Sequence, residues 1–378
     1  MKQAKPLRTA LALLLTVAIL AGAAALRVPL LSLVCGMALK TAQSFLPTAA
    51  LTRFANETAN ESTTAPPTVP APTVTEPPDE PAAAPAPEDA DFTATPQDVL
   101  DRMAAATAAA SDEKGGAIVK RTYGTAGVTD QCGVVRIKNT NQTQIDAAAL
   151  LKERANLTVD KSKPAVLIFH THTTESFQLT DRDFYAKGDA ARSNDPGENM
   201  VRVGDEICKA LENAGYTVLH DAQIYDAKYT GAYDLSRAAV QRTLKKYPSI
   251  QITLDIHRDA IQLSDGSRVR PVADVQGKPA AQVMIISGCQ EEGNNVSGFS
   301  GWKQNLIFAL QLQRQLETDF PTLTRPLFFC GRRYNMDLTP CSLLIEIGTD
   351  VNTLEEAVYS GRCVGTSLAR LMAAYETE

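Results

Sequence analysis

The sequence predicts an α/β fold with a mostly parallel central sheet flanked by helices. Short apolar runs of the length of a buried strand alternate along the chain with longer stretches of helical periodicity. The connections between them are short. A helical pattern over 198–214 ends at Gly215, a residue suited to close a helix, and a strand pattern at 216–219 follows at once. Strands that alternate with helices in this way are typical of layered domains with parallel strands.

The individual elements are predicted from these two periodicities. Strands are expected in six apolar runs, at 133–137, 165–169, 216–219, 250–256, 282–286 and 343–347. Helices are expected where apolar residues recur every three or four positions, at 96–110, 145–152, 198–214, 234–247, 302–320 and 354–375. The polar stretch from 175 to 199 is predicted to be a long loop, and loops of this length tend to be functional or mobile.

The first 40 residues are predicted to anchor the chain in the cell membrane. Basic residues precede an uncharged run of 18 residues at 9–26, close to the roughly 20 residues that span a bilayer. A basic flank places a short amino terminus in the cytoplasm and everything after the helix outside it. A cleaved signal peptide is the alternative, because the small residues at 23–25 suit a cleavage site. Apolar sequence resumes after Arg27, which favours an uncleaved, single-pass helix.

Residues 41–95 are predicted to form an extracytoplasmic linker rich in Pro, Thr and Ala. Ten of the 21 prolines of the chain lie between Pro66 and Pro96. Such a composition cannot bury a core and is typical of an extended, disordered tether. We expect a partly helical lead-in at 96–130 and the main folded domain at 131–378.

Charge and cysteine content exclude some classes of function. The net charge is −6 and there is no basic patch with interleaved aromatic residues, so nucleic acid is not an expected partner. The seven cysteines include no C-x-x-C pair, which argues against a zinc cluster held by thiolates. A disulfide between Cys330 and Cys341 stays open, provided that two strands bring them together.

Side chains with metal-binding or acid–base chemistry stand at the ends of three predicted strands. The strands are those at 165–169, 250–256 and 343–347. The side chains are His170, His172 and Glu175 after the first strand, His257 after the second and Glu346 at the end of the third. Because the carboxyl ends of parallel strands meet at one edge of a sheet, we expect these side chains to lie close together. The pattern predicts a metal site at that edge.

The predicted ligands of one Zn²⁺ ion are His172, Glu175 and His257. Two imidazole nitrogens and one carboxylate leave a fourth position for water, as in catalytic zinc sites, and such a metal lowers the pKa of water to about 7. Glu346 is the predicted general base, which takes a proton from this water and passes it to the leaving amine. His170 is the predicted stabiliser of a tetrahedral oxyanion, and it could instead replace His172 as a ligand.

Strand geometry bears on two pairs of residues. In a continuous strand His170 and His172 would point the same way, so both are expected to face the site. Asp255 and Asp259 flank His257 and are both candidates to orient its ring, and Asp255 is the better candidate because it shares the strand face of His257. A purely structural role is the alternative for each residue. Each histidine could be hydrogen-bonded without binding a metal, and Glu346 could form a buried ion pair.

Four short motifs resemble the stage II sporulation protein P family over about residues 130–378. They are His170-Thr-His-Thr-Thr-Glu-Ser176, Asp255-Ile-His-Arg-Asp259, Arg333-Tyr-Asn335, and Ser342-Leu-Leu-Ile-Glu-Ile-Gly348 followed by Asn352-Thr-Leu-Glu-Glu-Ala357. The family is similar to zinc-dependent N-acetylmuramoyl-L-alanine amidases. The resemblance therefore implies an amidase-like fold with His172 and His257 as ligands and Glu346 as the catalytic carboxylate. Glu175 follows His172 more closely than in the wider amidase group.

The resemblance also implies an activity and partners. The expected reaction is hydrolysis of the amide between N-acetylmuramic acid and L-alanine in peptidoglycan, with a further endopeptidase activity on peptide cross-links. The expected setting is septal wall removal and engulfment during endospore formation. The expected partners are a lytic transglycosylase (stage II sporulation protein D) and a membrane scaffold (stage II sporulation protein M).

Two other functions compete with this interpretation. A zinc carboxypeptidase-type peptidase also uses a His-x-x-Glu pair, a distant His and a late Glu, and Arg332 or Arg333 would then bind the free carboxylate of the substrate. The same two arginines are the candidate ion-pair partners of Glu346 if that residue is only structural. A wall-binding module without catalysis is the second alternative, and the intact set of polar strand ends argues against it.

Overall fold

The computed structural model describes residues 92–290, 296 and 298–377. These residues belong to the unit Val69–Glu378, whereas the unit Met1–Thr68 lies outside the described residues. The predicted anchor at 1–40 and the predicted linker up to residue 91 also lie outside them. Within the described ranges, no helix is long and apolar enough to cross a membrane.

Twelve strands and six helices occupy the described residues. The strands are β1 (Lys114–Arg121), β2 (Asp130–Cys132), β3 (Val135–Asn139), β4 (Pro164–Phe169), β5 (Phe184–Ala186), β6 (Thr217–His220), β7 (Ile252–Asp259), β8 (Arg268–Val275), β9 (Lys278–Ala281), β10 (Val283–Gly288), β11 (Leu327–Cys330) and β12 (Cys341–Thr349). The helices are α1 (Gln97–Ala109), α2 (Ala147–Leu150), α3 (Met200–Asn213), α4 (Ala232–Lys246), α5 (Trp302–Asp319) and α6 (Leu354–Ala373). Every predicted strand and helix is present, although the helix predicted at 145–152 is only the short α2.

The central sheet has eight strands in the order β2-β3-β11-β10-β12-β7-β4-β6. Five of its seven pairings are parallel, and the antiparallel ones are β2 with β3 and β10 with β12. The α/β class with a mostly parallel sheet is therefore confirmed. Adjacent strands β12, β7 and β4 are parallel, so their carboxyl ends lie at the same edge.

Strand β4 shows why the helices cover both faces of this sheet. Its side chains alternate between faces, as in any strand. Val166 and Ile168 belong to the main core with Val203 of α3, whereas Leu167 and Phe169 pack with α4. All of these β4 side chains are buried. An apolar run with no polar position is what burial on both faces requires.

A second, four-stranded sheet with the order β5-β1-β8-β9 was not predicted from the sequence. It joins the start of α6 through Arg270 of β8, whose guanidinium is bonded to both carboxylate oxygens of Glu356 at 2.6–3.0 Å. Glu356 also accepts from the backbone N–H of Thr353, and the Thr353 hydroxyl accepts from the N–H of Glu356. This reciprocal cap satisfies two of the open N–H groups at a helix start.

The described chain begins with residues that pack on the domain. Phe92, in the stretch expected to be linker, stacks on Phe320 with ring centroids 5.6 Å apart, and Arg362 donates to the carbonyl oxygens of Phe92 and Ala94. The six cysteines among the described residues are free thiols, so Cys330 and Cys341 do not form a disulfide.

Candidate active site

Three neighbouring strands bring the predicted site residues to one edge of the sheet. Phe169, the last residue of β4, is paired with Asp255 of β7, so the turn after β4 begins beside the end of β7. Glu346 of β12 is paired in register with His257 of β7. The predicted meeting of the three strand ends is therefore what the structure shows.

The turn after β4 carries His172 and Glu175 and is held at both ends by buried carboxylates. Asp255 accepts hydrogen bonds from the backbone N–H and the hydroxyl of Thr171, at 2.7 and 2.6 Å. Asp226 accepts from the N–H and the hydroxyl of Thr174, at 3.1 and 2.7 Å. The turn itself closes with a bond from the N–H of Glu175 to the carbonyl of His172. These bonds fix the backbone that presents both side chains.

His172, Glu175 and His257 lie together and are all buried. The Nδ1 atom of His257 is 3.5 Å from Oε2 of Glu175. The rings of His172 and His257 have centroids 5.3 Å apart and are nearly perpendicular. The exposed fraction of these three residues is 1–3%, so the cluster has a low-dielectric environment in which charge interactions are strong.

The electrostatics of the cluster follow from burial and from its carboxylates. Burial lowers the pKa of His172 to about 4. Burial also disfavours the charged form of His257, but Asp255, with an oxygen 2.8 Å from Nε2, and Glu175 together raise the pKa of His257 well above its ordinary value. Burial acts against ionised Glu175, yet the charge of Arg258 and its two histidine neighbours keep the pKa of Glu175 well below its usual range.

Two imidazole nitrogens and a carboxylate are the types of ligand atom that zinc binds in proteins. One nitrogen of each imidazole faces a carboxylate: Nδ1 of His172 lies 3.8 Å from Asp226, and Nε2 of His257 lies 2.8 Å from Asp255. The nitrogens left to bind a metal are then Nε2 of His172 and Nδ1 of His257. Tetrahedral bonds of about 2.0–2.1 Å would place two ligand atoms roughly 3.4 Å apart. The 3.5 Å between His257 and Glu175 agrees with this spacing. In the described part of the chain, however, no group of three or more His, Cys, Asp or Glu side chains is already arranged to hold a metal ion.

His170 does not lie with His172, contrary to the expectation that both would face the site. The strand ends at Phe169, and His170 continues its alternation to the side of α3. There its Nδ1 is 3.0 Å from the carbonyl oxygen of Ile256, and its Nε2 is 2.8 Å from Nε2 of His220. His172 comes only after the chain has turned. Both ring nitrogens of His170 are thus occupied, and its catalytic role stays a prediction.

Glu346 is buried on β12, beside His257 on one side and Met284 of β10 on the other. Asp255 lies against the His257 ring, as the shared strand face predicts. The other carboxylate next to His257 in sequence, Asp259, pairs with Arg325 at 3.0 Å. The candidate base and the candidate ligand therefore stand on adjacent strands at the same height in the sheet.

The sequence matches the model of the family Stage II sporulation protein P over residues 103–369, which is most of the chain. The chain belongs to this family. It is 31% identical over 227 residues to stage II sporulation protein P of Bacillus subtilis (strain 168), an alignment that covers 57% of this chain and 52% of that protein. The chain therefore spans about half the length of this relative.

Solved structures with some likeness to the chain are amidases. The N-acetylmuramoyl-L-alanine amidase AmiC2 of Nostoc punctiforme has a TM-score of 0.33 and 14% identity, covering 57% of this chain and 98% of that one. The CwlD amidase from Clostridioides difficile, in complex with the GerS lipoprotein, has a TM-score of 0.33 and 10% identity, covering 56% and 99%. Likenesses of this size carry no conclusion about fold or activity.

Three residues that surround the cluster of His172, Glu175 and His257 were not predicted from the sequence. Asp226 lies in the loop before α4, and Arg192 lies between β5 and α3. The prediction of one long loop at 175–199 is therefore wrong, because β5 interrupts it and pairs with β1. Tyr229 stacks on His172 with centroids 4.6 Å apart. Arg192 pairs with Asp226, lies 3.7 Å from Glu175 and covers the ring of Tyr229. No periodicity or motif marks these loop residues. The only signal was the unusual length of the polar stretch that contains Arg192.

Proposed function

We propose that the chain is a zinc-dependent peptidoglycan hydrolase that cleaves the amide between N-acetylmuramic acid and L-alanine. The observation that carries the proposal is the gathering of His172, Glu175 and His257, with Glu346 on the neighbouring strand, at one edge of the sheet. Membership of the stage II sporulation protein P family supports a role in wall remodelling during sporulation.

The residues that would hold the metal are His172, Glu175 and His257. A bound zinc ion would supply a Lewis acid that polarises the amide carbonyl and lowers the pKa of water. Arg258 offsets part of the charge of Glu175, since its backbone N–H donates to Oε2 at 3.2 Å and its side chain lies 4.0 Å from Oε1. Asp255 holds the His257 ring from the opposite side.

Glu346 would serve as the general base. As water adds to the carbonyl carbon, this carboxylate takes one of the water's protons and later gives it to the nitrogen of L-alanine as the C–N bond breaks. Glu346 is buried and is paired in register with His257, which places it beside the proposed ligands. His170 would act only by supporting the β4 turn, unless its ring is released from Ile256 and His220.

The proposed setting follows from the amino-terminal sequence and the family. A single-pass helix within residues 1–40 would hold the protein in the cell membrane, a linker up to about residue 91 would give reach, and the catalytic domain would act outside the cytoplasm. Peptide cross-links would be a second substrate. A lytic transglycosylase and a membrane scaffold of the engulfment machinery would be partners.

The experiment is hydrolysis of purified peptidoglycan by the full-length chain in detergent, with and without a chelator. We expect release of peptides with a free L-alanine amino group, and loss of this activity with chelator. Glu346→Gln should keep zinc and lose at least 100-fold in rate, the usual scale for a lost general base, whereas His257→Ala should lose both zinc and activity.

Glu317→Gln is the matched control, because Glu317 of α5 is also a buried carboxylate but pairs with Arg136 of β3, away from the cluster. It should hydrolyse the wall at the wild-type rate. Release of single terminal amino acids instead of whole peptides would replace the amidase proposal by a carboxypeptidase. Binding to the wall without any release, even after a glycan-cleaving enzyme has been added, would refute catalysis.

A further inference from the structure

Asp226 is a buried carboxylate that no motif singles out. Its side chain is 0% exposed. It accepts two hydrogen bonds from Thr174, as described above, and forms an ion pair with Arg192. Its Oδ2 atom also lies 3.8 Å from Nδ1 of His172, the buried nitrogen that has no hydrogen-bond partner. One side chain thus contacts the turn and faces the first candidate ligand.

Asp226 and Asp255 have matching arrangements at the two ends of the turn. Each accepts from the backbone N–H and the hydroxyl of one threonine, Thr171 for Asp255 and Thr174 for Asp226. Each also faces one imidazole nitrogen of the cluster, Asp255 at 2.8 Å from Nε2 of His257 and Asp226 at 3.8 Å from Nδ1 of His172. Carboxylates that contact the second nitrogen of a metal-binding histidine fix the orientation of the ring and raise its basicity. The parallel suggests that Asp226 does for His172 what Asp255 does for His257.

Arg192 and Tyr229 complete the surroundings of His172. The Tyr229 ring is stacked flat on the imidazole, at 4.6 Å and 4°, and the Arg192 guanidinium lies 5.6 Å from the Tyr229 centroid. Arg192 also donates to the Thr174 hydroxyl at 3.0 Å. An isolated buried carboxylate would be very costly, and this guanidinium offsets the cost at Asp226. His172 is therefore confined by an aromatic ring on its face and by a carboxylate at its edge.

We propose that Asp226, held by Arg192, is a positioning residue for His172. It fixes the turn through Thr174 and orients the imidazole so that His172 can bind the metal. The inference rests on the proposed function, because it assumes that His172 is a zinc ligand. Removing the carboxylate charge should weaken zinc binding about 10- to 100-fold, the usual effect of losing such a partner of a ligating histidine.

The test measures the zinc affinity of the full-length protein by competition with a chelating dye, for wild type and Asp226→Asn. The control is Asp319→Asn on α5. The Asp319 side chain is also 0% exposed and also pairs with an arginine, Arg370 at 2.6 Å. Its other hydrogen-bond partners are Gln315 and Ser367, which lie on α5 and α6 and not in the cluster. Loss of a buried carboxylate charge that is paired with an arginine is then common to both variants, and loss of zinc affinity is expected in Asp226→Asn alone.

The visible absorption of the cobalt-substituted protein gives a second readout, because it reports the arrangement of the ligands. It should change in Asp226→Asn and stay unchanged in Asp319→Asn. If Asp226→Asn does not fold, Thr174→Val decides: it keeps the N–H bond to Asp226 and removes the hydroxyl bond, and we expect a loss of zinc affinity of at least threefold.

The outcomes separate the two proposals. Wild-type zinc affinity and an unchanged cobalt spectrum in Asp226→Asn, or in Thr174→Val where the first variant is unfolded, would overturn the role of Asp226 and leave the zinc site standing. An equal loss in Asp319→Asn would also overturn it, because the effect would then be general destabilisation. Failure of the wild-type protein to bind zinc at all would overturn the proposed function together with this inference.

Discussion

Gly204 of α3 shows how closely the structure is built around the histidine pair beside the site. A Cβ atom at this position would lie 2.5 Å from Nε2 of His220 and 2.8 Å from Nε2 of His170. Both distances are too short for a real contact. The rings cannot easily retreat, since His170 is fully buried and bonded at both nitrogens. The absence of a side chain at Gly204 therefore permits the histidine pair.

Gly204→Ala is expected to destabilise the protein, although glycine to alanine within a helix normally stabilises by about 0.5–1 kcal/mol. Forcing a methyl group into a filled space costs about 1–3 kcal/mol. The free energy of unfolding in denaturant measures the change. Gly124→Ala is the control, because a Cβ there would meet nothing within 4 Å. A gain of stability in Gly204→Ala would mean that the histidine pair moves aside freely.

At the scale of elements, the start of α6 is where the two sheets and a helix are joined. Thr353 and Glu356 cap each other's N–H groups, and Arg270 of β8 brings its charge to the same glutamate. The side chains of Arg270 and Glu356 are both only 3% exposed. The cap thus lies inside the molecule, where an open N–H group cannot turn to water.

Thr353→Ala is expected to lower the free energy of unfolding by about 1–2 kcal/mol, the upper range for a lost helix cap, because the site is buried. Thr353→Ser keeps the hydroxyl and should stay much closer to wild type. Chemical denaturation of the three proteins measures both changes. Equal loss in the alanine and serine variants would assign the effect to the methyl group of Thr353 rather than to the cap.

At the scale of the whole molecule, the packing of Phe92 indicates that the folded domain already includes this residue. This side chain is 8% exposed, stacks on Phe320 and meets the edge of Tyr359 at 5.9 Å. Phe92→Ala should lower the free energy of unfolding by about 3 kcal/mol, the lower range for a buried phenylalanine. Thermal unfolding measures it, with Leu100→Ala, a 42% exposed position on α1, as a control that should have little effect. An unchanged stability would place Phe92 in the linker after all.

The central sheet could be predicted because its strands obey simple rules of periodicity. Runs such as β4 are apolar throughout, which identifies a strand covered on both faces. The second sheet could not be predicted in this way. In β8 the charged side chain of Arg270 is buried and paired with Glu356, and the partly exposed Arg268 is paired with Asp350. Nothing local distinguishes such a strand from a polar loop, because the partner that offsets each charge is distant in sequence.

The candidate site was predictable in part for a similar reason. His172, Glu175, His257 and Glu346 follow apolar runs, so the rule about strand ends brings them together. The position of His170 depended on where β4 ends, which periodicity locates poorly. Asp226 and Arg192 come from loops, whose course depends on contacts made only after folding. Residues on regular elements were therefore found, and residues that orient them were not.

The distances along the chain between the strands of the site bear on the order in which the molecule assembles. Glu175 and Arg258, which are hydrogen-bonded, are 83 residues apart in sequence, and the parallel neighbours β7 and β12 are separated by a comparable span. Contacts of such long range form slowly, because the chain entropy lost in closing a long loop is offset only after the contacts have formed. The hairpins, and the contacts between α3 and β6, join residues close in sequence and can form first. The cluster at the strand ends is thus a late product of folding, and a nascent or truncated chain that lacks β12 also lacks Glu346 and has no complete candidate site.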